Sequence, residues 1–180
     1  NKNHWWADQF SNPDNPLAHK ETTGKEIIQQ LDGKIDAWVA SVGTGGTLLG
    51  VTEALTKESV RAKVVGLEPE DAKVTERIRK GTLNKFFEKL ELPIRKSIVE
   101  AMLEKGIPDQ LITVDHGEAK NMANRLSREE GLFCGISSGA NVYAAVKIAK
   151  KLGKGANVVT VLVDSRDRYL PEHPNEHYVI

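Results

Sequence analysis

Short apolar runs alternate with amphipathic helical patterns along most of this 180-residue chain. Four runs have the length and the β-branched composition of buried strands, and we predict strands at residues 35–40, 62–69, 111–114 and 157–163. Between them, apolar positions recur at helical spacing. The predicted inward faces are Leu48, Val51 and Leu55, then Ala119, Met122, Ala123 and Leu126, then Ala140, Ala144, Ala145, Ile148 and Leu152. This alternation predicts an α/β fold, a doubly wound and mostly parallel sheet with helices on both faces.

Two stretches fall outside this pattern. The first 20 residues are polar, aromatic and proline-rich, and we predict no capped element among them. A helix is predicted to begin at residues 22–26, where a threonine cap precedes a glutamate, and to end at Gly33. Residues 131–139 are rich in small side chains and are predicted to be irregular.

A glycine-rich loop follows the first predicted strand and precedes a helix. Glycines bring backbone N–H groups close to an anion, and the following helix N-terminus adds partial positive charge. The loop therefore predicts a phosphate site, although a tight turn without a ligand would have the same composition. Its residues are Gly43, Thr44, Gly45, Gly46 and Thr47.

The loop also narrows the kind of phosphate. A nucleoside triphosphate is disfavoured because no lysine follows Gly46. A nicotinamide dinucleotide remains a weaker alternative, since Gly45, Gly46 and Gly50 nearly keep the required spacing and Glu68 lies about 20 residues on. A loop of N–H groups and hydroxyls without a lysine suits a compact phosphate monoester, such as the phosphate of pyridoxal 5'-phosphate.

Composition excludes several other functions. Lysine plus arginine equals aspartate plus glutamate at 25 each, with no basic stripe, so we expect no nucleic-acid partner. No apolar run has the length of a membrane span, and we predict a cytoplasmic protein. The single cysteine, Cys134, is expected to be a buried packing residue. The histidines, His19 among them, lack metal-ligand spacing and are expected on the surface, so we predict no metal site.

Several separated segments together resemble one enzyme family. Residues 9–19, 22–27, 39–47, 129–131 and 135–141 are similar, in order, to the fold type II pyridoxal-phosphate enzymes of the cysteine synthase and cystathionine β-synthase family. The resemblance implies pyridoxal 5'-phosphate as the cofactor, with its phosphate in residues 43–47. It also implies a homodimer.

The resemblance assigns further roles by position. Ser137 would face the pyridine nitrogen, and a neutral hydroxyl there makes the ring a milder electron sink, which suits β-elimination. The alternative is that Ser137 and Ser138 cap the next helix, with Ser138 the better candidate. Gln9 would lie near the substrate carboxylate. Ser165 or Asp164 would join the network around the ring, although capping after the last strand explains them equally well.

Two departures from the family limit the transfer. The Ser-x-Lys-x-Arg segment that carries the Schiff-base lysine is not found, so we assign no catalytic residue to this chain. We interpret residues 1–180 as the C-terminal portion of a catalytic domain and expect this portion alone to be inactive. The second departure follows Glu68, where residues 80–104 replace the family's usual Gly-Ile-Gly turn.

The expected activity is β-replacement or β-elimination in sulfur amino-acid metabolism. The favoured reaction is cysteine synthesis from an O-activated serine and sulfide, so the partners would be an amino acid and a thiol or sulfide. Cystathionine β-synthase or cysteine desulfhydrase activity is the alternative. A second alternative, of another class, is a non-catalytic partner-binding domain that kept the fold.

Overall fold

A parallel sheet forms the centre of the fold. The computed structural model describes residues 7–70, 74–80 and 97–169. Within them, the strands β1 (Ala37–Ser41), β2 (Lys63–Pro69), β3 (Gln110–Val114) and β4 (Val158–Thr160) lie in the order β3-β2-β1-β4, with all neighbours parallel. The predicted α/β architecture is confirmed.

Helices pack on both faces of this sheet. The described part of the chain contains the helices α1 (Asp14–Glu21), α2 (Thr23–Gln30), α3 (Gly46–Lys57), α4 (Val74–Arg79), α5 (Ile98–Glu104), α6 (His116–Glu130) and α7 (Ile136–Leu152), and a 3-10 turn follows at Arg166–Tyr169. Within these residues, each helix is too short or too polar to cross a bilayer.

The side chains of β1 alternate between two cores. Trp38 and Ala40 join one cluster with Leu48 of α3 and Met102 of α5. Ala37 and Val39 join the other with α6 and α7. Because alternate residues of a strand point to opposite faces, β1 is buried on both sides, and its near-continuous apolar run reflects this.

The strand order reverses between β1 and β4. From β1 the chain adds β2 and β3 on one side, and β4 then pairs with the other side of β1. In open α/β sheets, ligands bind outside the carboxyl ends of the strands at such a switch point. The residues that follow Ser41 and Thr160 therefore lie at the most favourable place for a site.

The first 20 residues, for which no capped element was predicted, do contain a helix, but its N-cap residue Pro13 makes no side-chain cap. Helix α1 begins at Asp14 after Pro13, and the Asp14 N–H donates to Asn12 Oδ1 at 3.0 Å. Helix α2 lies where it was predicted, but its threonine cap does not form. The Thr22 hydroxyl instead donates back to the Ala18 carbonyl at 2.7 Å.

Two boundaries near the end of the chain also differ from the predictions. Strand β4 stops at Thr160 rather than at residue 163, because α7 side chains take over hydrogen bonding to the following backbone. Helix α7 already begins at Ile136, so residues 136–139 are helical rather than irregular. Leu152, predicted to point inward, is 43% exposed at the end of α7.

Candidate cofactor site

The glycine loop (residues 43–47) connects β1 to α3 at the switch point. Gly45 has a φ of +85°, a left-handed conformation that favours glycine. Helix α3 begins with no side-chain cap. The Gly46 N–H donates to Thr44 Oγ1 at 3.2 Å. The remaining N–H groups of the first turn have no intrahelical acceptor, so this end of α3 attracts an anion.

Gly43 has no packing reason to be a glycine. It is exposed, and a Cβ added there would meet nothing within 4 Å. At Gly45, by contrast, an added Cβ would lie 3.1 Å from Val99 Cγ2 in addition to the backbone strain. The space beside Gly43 is therefore open to a ligand that approaches the backbone closely.

His19 supports the loop from the side of α1. Its Nε2 lies 3.1 Å from Thr47 Oγ1 and its Nδ1 lies 3.1 Å from Thr23 Oγ1. Burial lowers the pKa of His19, which favours the neutral imidazole. The prediction that His19 is a solvated surface residue was wrong, since it is half-buried and bonded on both nitrogens.

Ser137 lies in the first turn of α7, where its hydroxyl is 3.4 Å from Asp164 Oδ1. This contact is long for a hydrogen bond between oxygens, so the hydroxyl can rotate toward another acceptor. The Tyr169 hydroxyl donates to Asp164 Oδ2, and this bond to the carboxylate raises the pKa of Tyr169. The Asp164 carboxylate therefore lies between the Ser137 and Tyr169 hydroxyls.

The serines do not cap α7. The N-cap residue is Gly135, and no side chain makes the capping bond. Ser138 is fully buried, and its Oγ accepts a hydrogen bond from the Val163 N–H at 2.9 Å. The alternative interpretation, in which Ser138 caps the helix, was therefore wrong, and Ser138 instead holds the chain after β4.

Ser165 is exposed and lies in a short pairing, called the strap here, between residues 164–166 after β4 and residues 133–135 before α7. Cys134 and Ser165 form an isolated antiparallel bridge, the Gly135 N–H donates to the Asp164 carbonyl at 3.0 Å, and Ser165 Oγ donates to the Phe133 carbonyl at 3.3 Å. The prediction that Cys134 is buried is confirmed, and burial raises the pKa of its thiol. The strap joins the residues after β4 to the start of α7.

Asn141 joins the two halves of the site, and the sequence analysis missed it. This side chain is fully buried on α7. Its Oδ1 accepts from the Ser41 N–H and its Nδ2 donates to the Val161 carbonyl, both at 2.9 Å. The amide thus bridges β1 and the end of β4. A polar residue among the inward positions of α7 was the available signal.

Gln9 lies in the turn before α1 and is exposed. Its carbonyl accepts a hydrogen bond from Asn15 Nδ2 at 2.8 Å, and the same nitrogen lies 3.1 Å from Thr44 Oγ1. Asn15 therefore brings the Gln9 backbone to the glycine loop. The sequence analysis assigned no role to Asn15, which carries no local signal beyond its place in an Asn- and Pro-rich turn.

Helix α5 forms the rim beside the glycine loop. Ser97 and Glu100 make a reciprocal capping box. The Ile98 N–H donates to the Phe10 carbonyl at 2.8 Å, and the Ile98 and Val99 side chains pack against Gly45. The departure predicted at residues 80–104 lies partly outside the described residues, but its last part provides this rim.

A model of the family described as "Pyridoxal-phosphate dependent enzyme" matches residues 1–164. The chain belongs to this family. Its residues fit the family's cofactor, since the glycine loop offers hydroxyls and N–H groups to a phosphate and lacks the lysine that a nucleoside-triphosphate loop would need. The predicted cofactor class is confirmed at the level of the family.

Relatives with different activities are similar to this chain. A cysteine synthase of Staphylococcus aureus is 45% identical over 163 residues, covering 90% of this chain and 51% of that protein. A cystathionine beta-synthase of Dictyostelium discoideum is 38% identical over 173 residues, covering 96% of this chain and 34% of that protein. The crystal structure of a hydrogen sulfide-producing enzyme from Fusobacterium nucleatum has a TM-score of 0.76 at 29% identity, covering 94% of this chain and 56% of that one.

The chain matches only part of each relative. The chain spans about half of the cysteine synthase and about a third of the cystathionine synthase. Both named activities belong to sulfur amino-acid metabolism. The relatives therefore identify the enzyme family, but their names describe different reactions.

Proposed function

We propose that this chain contributes the phosphate-binding part of a pyridoxal-phosphate enzyme that acts on the β-carbon of an amino acid, with cysteine synthesis from an O-activated serine and sulfide as the reaction. The observation that carries the proposal is the uncapped start of α3 behind the glycine loop, at the switch point of the sheet. When bound, the cofactor supplies a ring that withdraws electron density from the amino acid's α-carbon, so that a β-substituent can leave.

In this proposal, each residue of the site has a distinct role. The N–H groups and hydroxyls of Gly43, Thr44, Gly45, Gly46 and Thr47 hold the phosphate. Ser137 faces the ring nitrogen and donates its hydroxyl proton to it, turning away from its long 3.4 Å contact with Asp164. Gln9, whose backbone is held next to the glycine loop, faces the substrate carboxylate. Ser165, held by its bond to the Phe133 carbonyl, lies at the edge of the site for the cofactor ring.

Substitutions at Gly43 and Ser137 test these assignments in the full-length protein. Gly43→Ala places a methyl group in the open space that a phosphate would occupy and meets no protein atom. We expect it to weaken pyridoxal-phosphate binding by about tenfold or more, a change of about 1.4 kcal/mol, without altering apoprotein stability. Ser137→Ala should change the visible spectrum of the bound cofactor more than its affinity.

A matched control comes from another glycine, Gly131, which also has open space around it but has a φ of +70° at the end of α6, away from the glycine loop in sequence. Gly131→Ala should lower stability and leave cofactor affinity unchanged. Equal effects of Gly43→Ala and Gly131→Ala on cofactor affinity would contradict the phosphate assignment.

The reaction itself is tested by product analysis. The full-length protein would be given O-acetylserine with sulfide, serine with homocysteine, and cysteine alone. The cystathionine synthase and the hydrogen sulfide-producing relatives make the second and third outcomes specific alternatives. Inactivity with all three, together with no lysine adduct after borohydride reduction, would favour a non-catalytic domain instead.

The proposal also concerns the rest of the enzyme. We propose that a lysine outside residues 1–180 holds the cofactor, that this part alone is inactive, and that the enzyme is a cytoplasmic homodimer. Size measurement of the full-length protein tests the dimer. A reduced cofactor adduct on a lysine of residues 1–180 would overturn the proposed division of the site.

A further inference from the structure

Thr44 in the glycine loop has an unusual hydrogen-bonding environment. Its Oγ1 accepts from two N–H donors, the Gly46 backbone at 3.2 Å and Asn15 Nδ2 at 3.1 Å. A hydroxyl has two acceptor lone pairs and one O–H donor. Because both lone pairs are engaged, the O–H is left to donate, which is the polarity that an anion requires.

Asn15 is closely fitted to this position. A Cβ added to Gly46 would lie 1.9 Å from Asn15 Oδ1, so the amide lies directly against the Gly46 backbone. The Asn15 Nδ2 also donates to the Gln9 carbonyl at 2.8 Å. The amide therefore contacts Gln9, Thr44 and Gly46, which come from two distant segments of the sequence.

We propose that Asn15 is a positioning residue: it orients the Thr44 hydroxyl as a donor to the cofactor phosphate and holds the Gln9 backbone against the glycine loop. This inference rests on the proposed function and adds a residue that sets the polarity of the site. It also predicts that phosphate binding and the placement of Gln9 depend on one side chain.

Asn15→Asp tests the polarity directly, because it keeps the shape of the side chain and replaces the donating nitrogen by an accepting oxygen. The Thr44 O–H would then donate to residue 15 instead of to the phosphate. Asn12→Asp is the matched control. Asn12 lies in the same turn and its Nδ2 donates to the Ala7 carbonyl at 3.0 Å, so this variant adds the same charge and also loses one backbone bond. The Asn12 side chain makes its hydrogen bonds to residues 7 and 14, away from the glycine loop.

The measurements are the Kd for pyridoxal 5'-phosphate and for inorganic phosphate in the full-length apoprotein, the phosphorus resonance of the bound cofactor, and urea unfolding of the apoprotein. We expect Asn15→Asp to raise both Kd values by about tenfold to a hundredfold, the loss expected for a hydrogen bond to a charged group. It should also shift the phosphorus resonance and raise the KM for the amino acid. Asn12→Asp should change each Kd less than about twofold, within the range of surface substitutions.

A double-mutant cycle adds a second variant in case Asn15→Asp folds poorly. If Asn15 acts through Thr44, Asn15→Ala should weaken phosphate binding in the wild-type background and much less in the Thr44→Val background. Equal loss of affinity in Asn15→Asp and Asn12→Asp, or an additive cycle, would overturn the inference. Wild-type protein that binds neither probe would overturn the proposed function as well, which is a distinguishable result.

Discussion

Removing the Asn141 amide should loosen the connection between β1 and the residues after β4 and should lower the free energy of unfolding. In Asn141→Ala, the Ser41 N–H and the Val161 carbonyl each lose their partner. Two hydrogen bonds contribute about 1–3 kcal/mol together. The void left by a fully buried side chain adds about 0.5–1 kcal/mol. We therefore expect the free energy of unfolding to fall by about 1.5–4 kcal/mol.

Urea unfolding of the apoprotein measures this cost, with an unchanged m-value as the sign that only stability has changed. Asn157→Ala is the matched control at the other end of the same strands. Asn157 is exposed, and its Nδ2 donates to the Lys34 carbonyl at 2.8 Å. Water can replace that bond, so its loss should cost less than about 1 kcal/mol. Equal costs for the two variants would refute the idea that the buried amide fastens β1 to the end of β4.

Further predictions concern single side chains. Gly45→Ala should lower stability by about 1–2 kcal/mol because of its positive φ, as measured by urea unfolding. Because burial lowers the pKa of His19, protonation below pH 6.5 favours the unfolded chain, so the stability of the wild type relative to His19→Gln should fall as the pH falls from 7.5 to about 5.5; a constant difference would contradict this. Burial raises the pKa of Glu53, but Lys105 and Lys20 outweigh it and lower the pKa overall, so Glu53→Gln should cost about 1 kcal/mol at pH 7 and nothing once the pH has fallen well below 4.5. The Cys134 thiol should react slowly with a disulfide reagent at pH 8 until the protein is unfolded, whereas rapid reaction of the native protein would show that it is accessible.

Local patterns in the sequence were sufficient for the sheet and most helix faces. The apolar run before the glycine loop predicted β1 within two residues, and Leu48, Val51 and Leu55 of α3 are all buried as predicted. These signals are reliable because burial repeats with the period of the element. The glycine loop was predictable for a similar reason, since its composition reflects a local backbone requirement.

The bonds that assemble the site could not be predicted in this way. Asn141 contacts Ser41 across 100 positions, and Asn15 contacts Thr44 across 29. Nothing near an asparagine in sequence indicates which distant backbone group it will meet. The same limit explains the wrong placement of His19 on the surface, because its burial depends on α1 lying against α3.

The contact between Gly46 and Asn15 has a consequence for how this sequence can change over time. A side chain at position 46 would collide with the amide at position 15, so a substitution at 46 requires that amide to turn away or to be replaced by a smaller residue. Either change would remove the hydrogen bonds that Asn15 makes to Gln9 and Thr44. We therefore expect positions 15 and 46 to change together rather than separately.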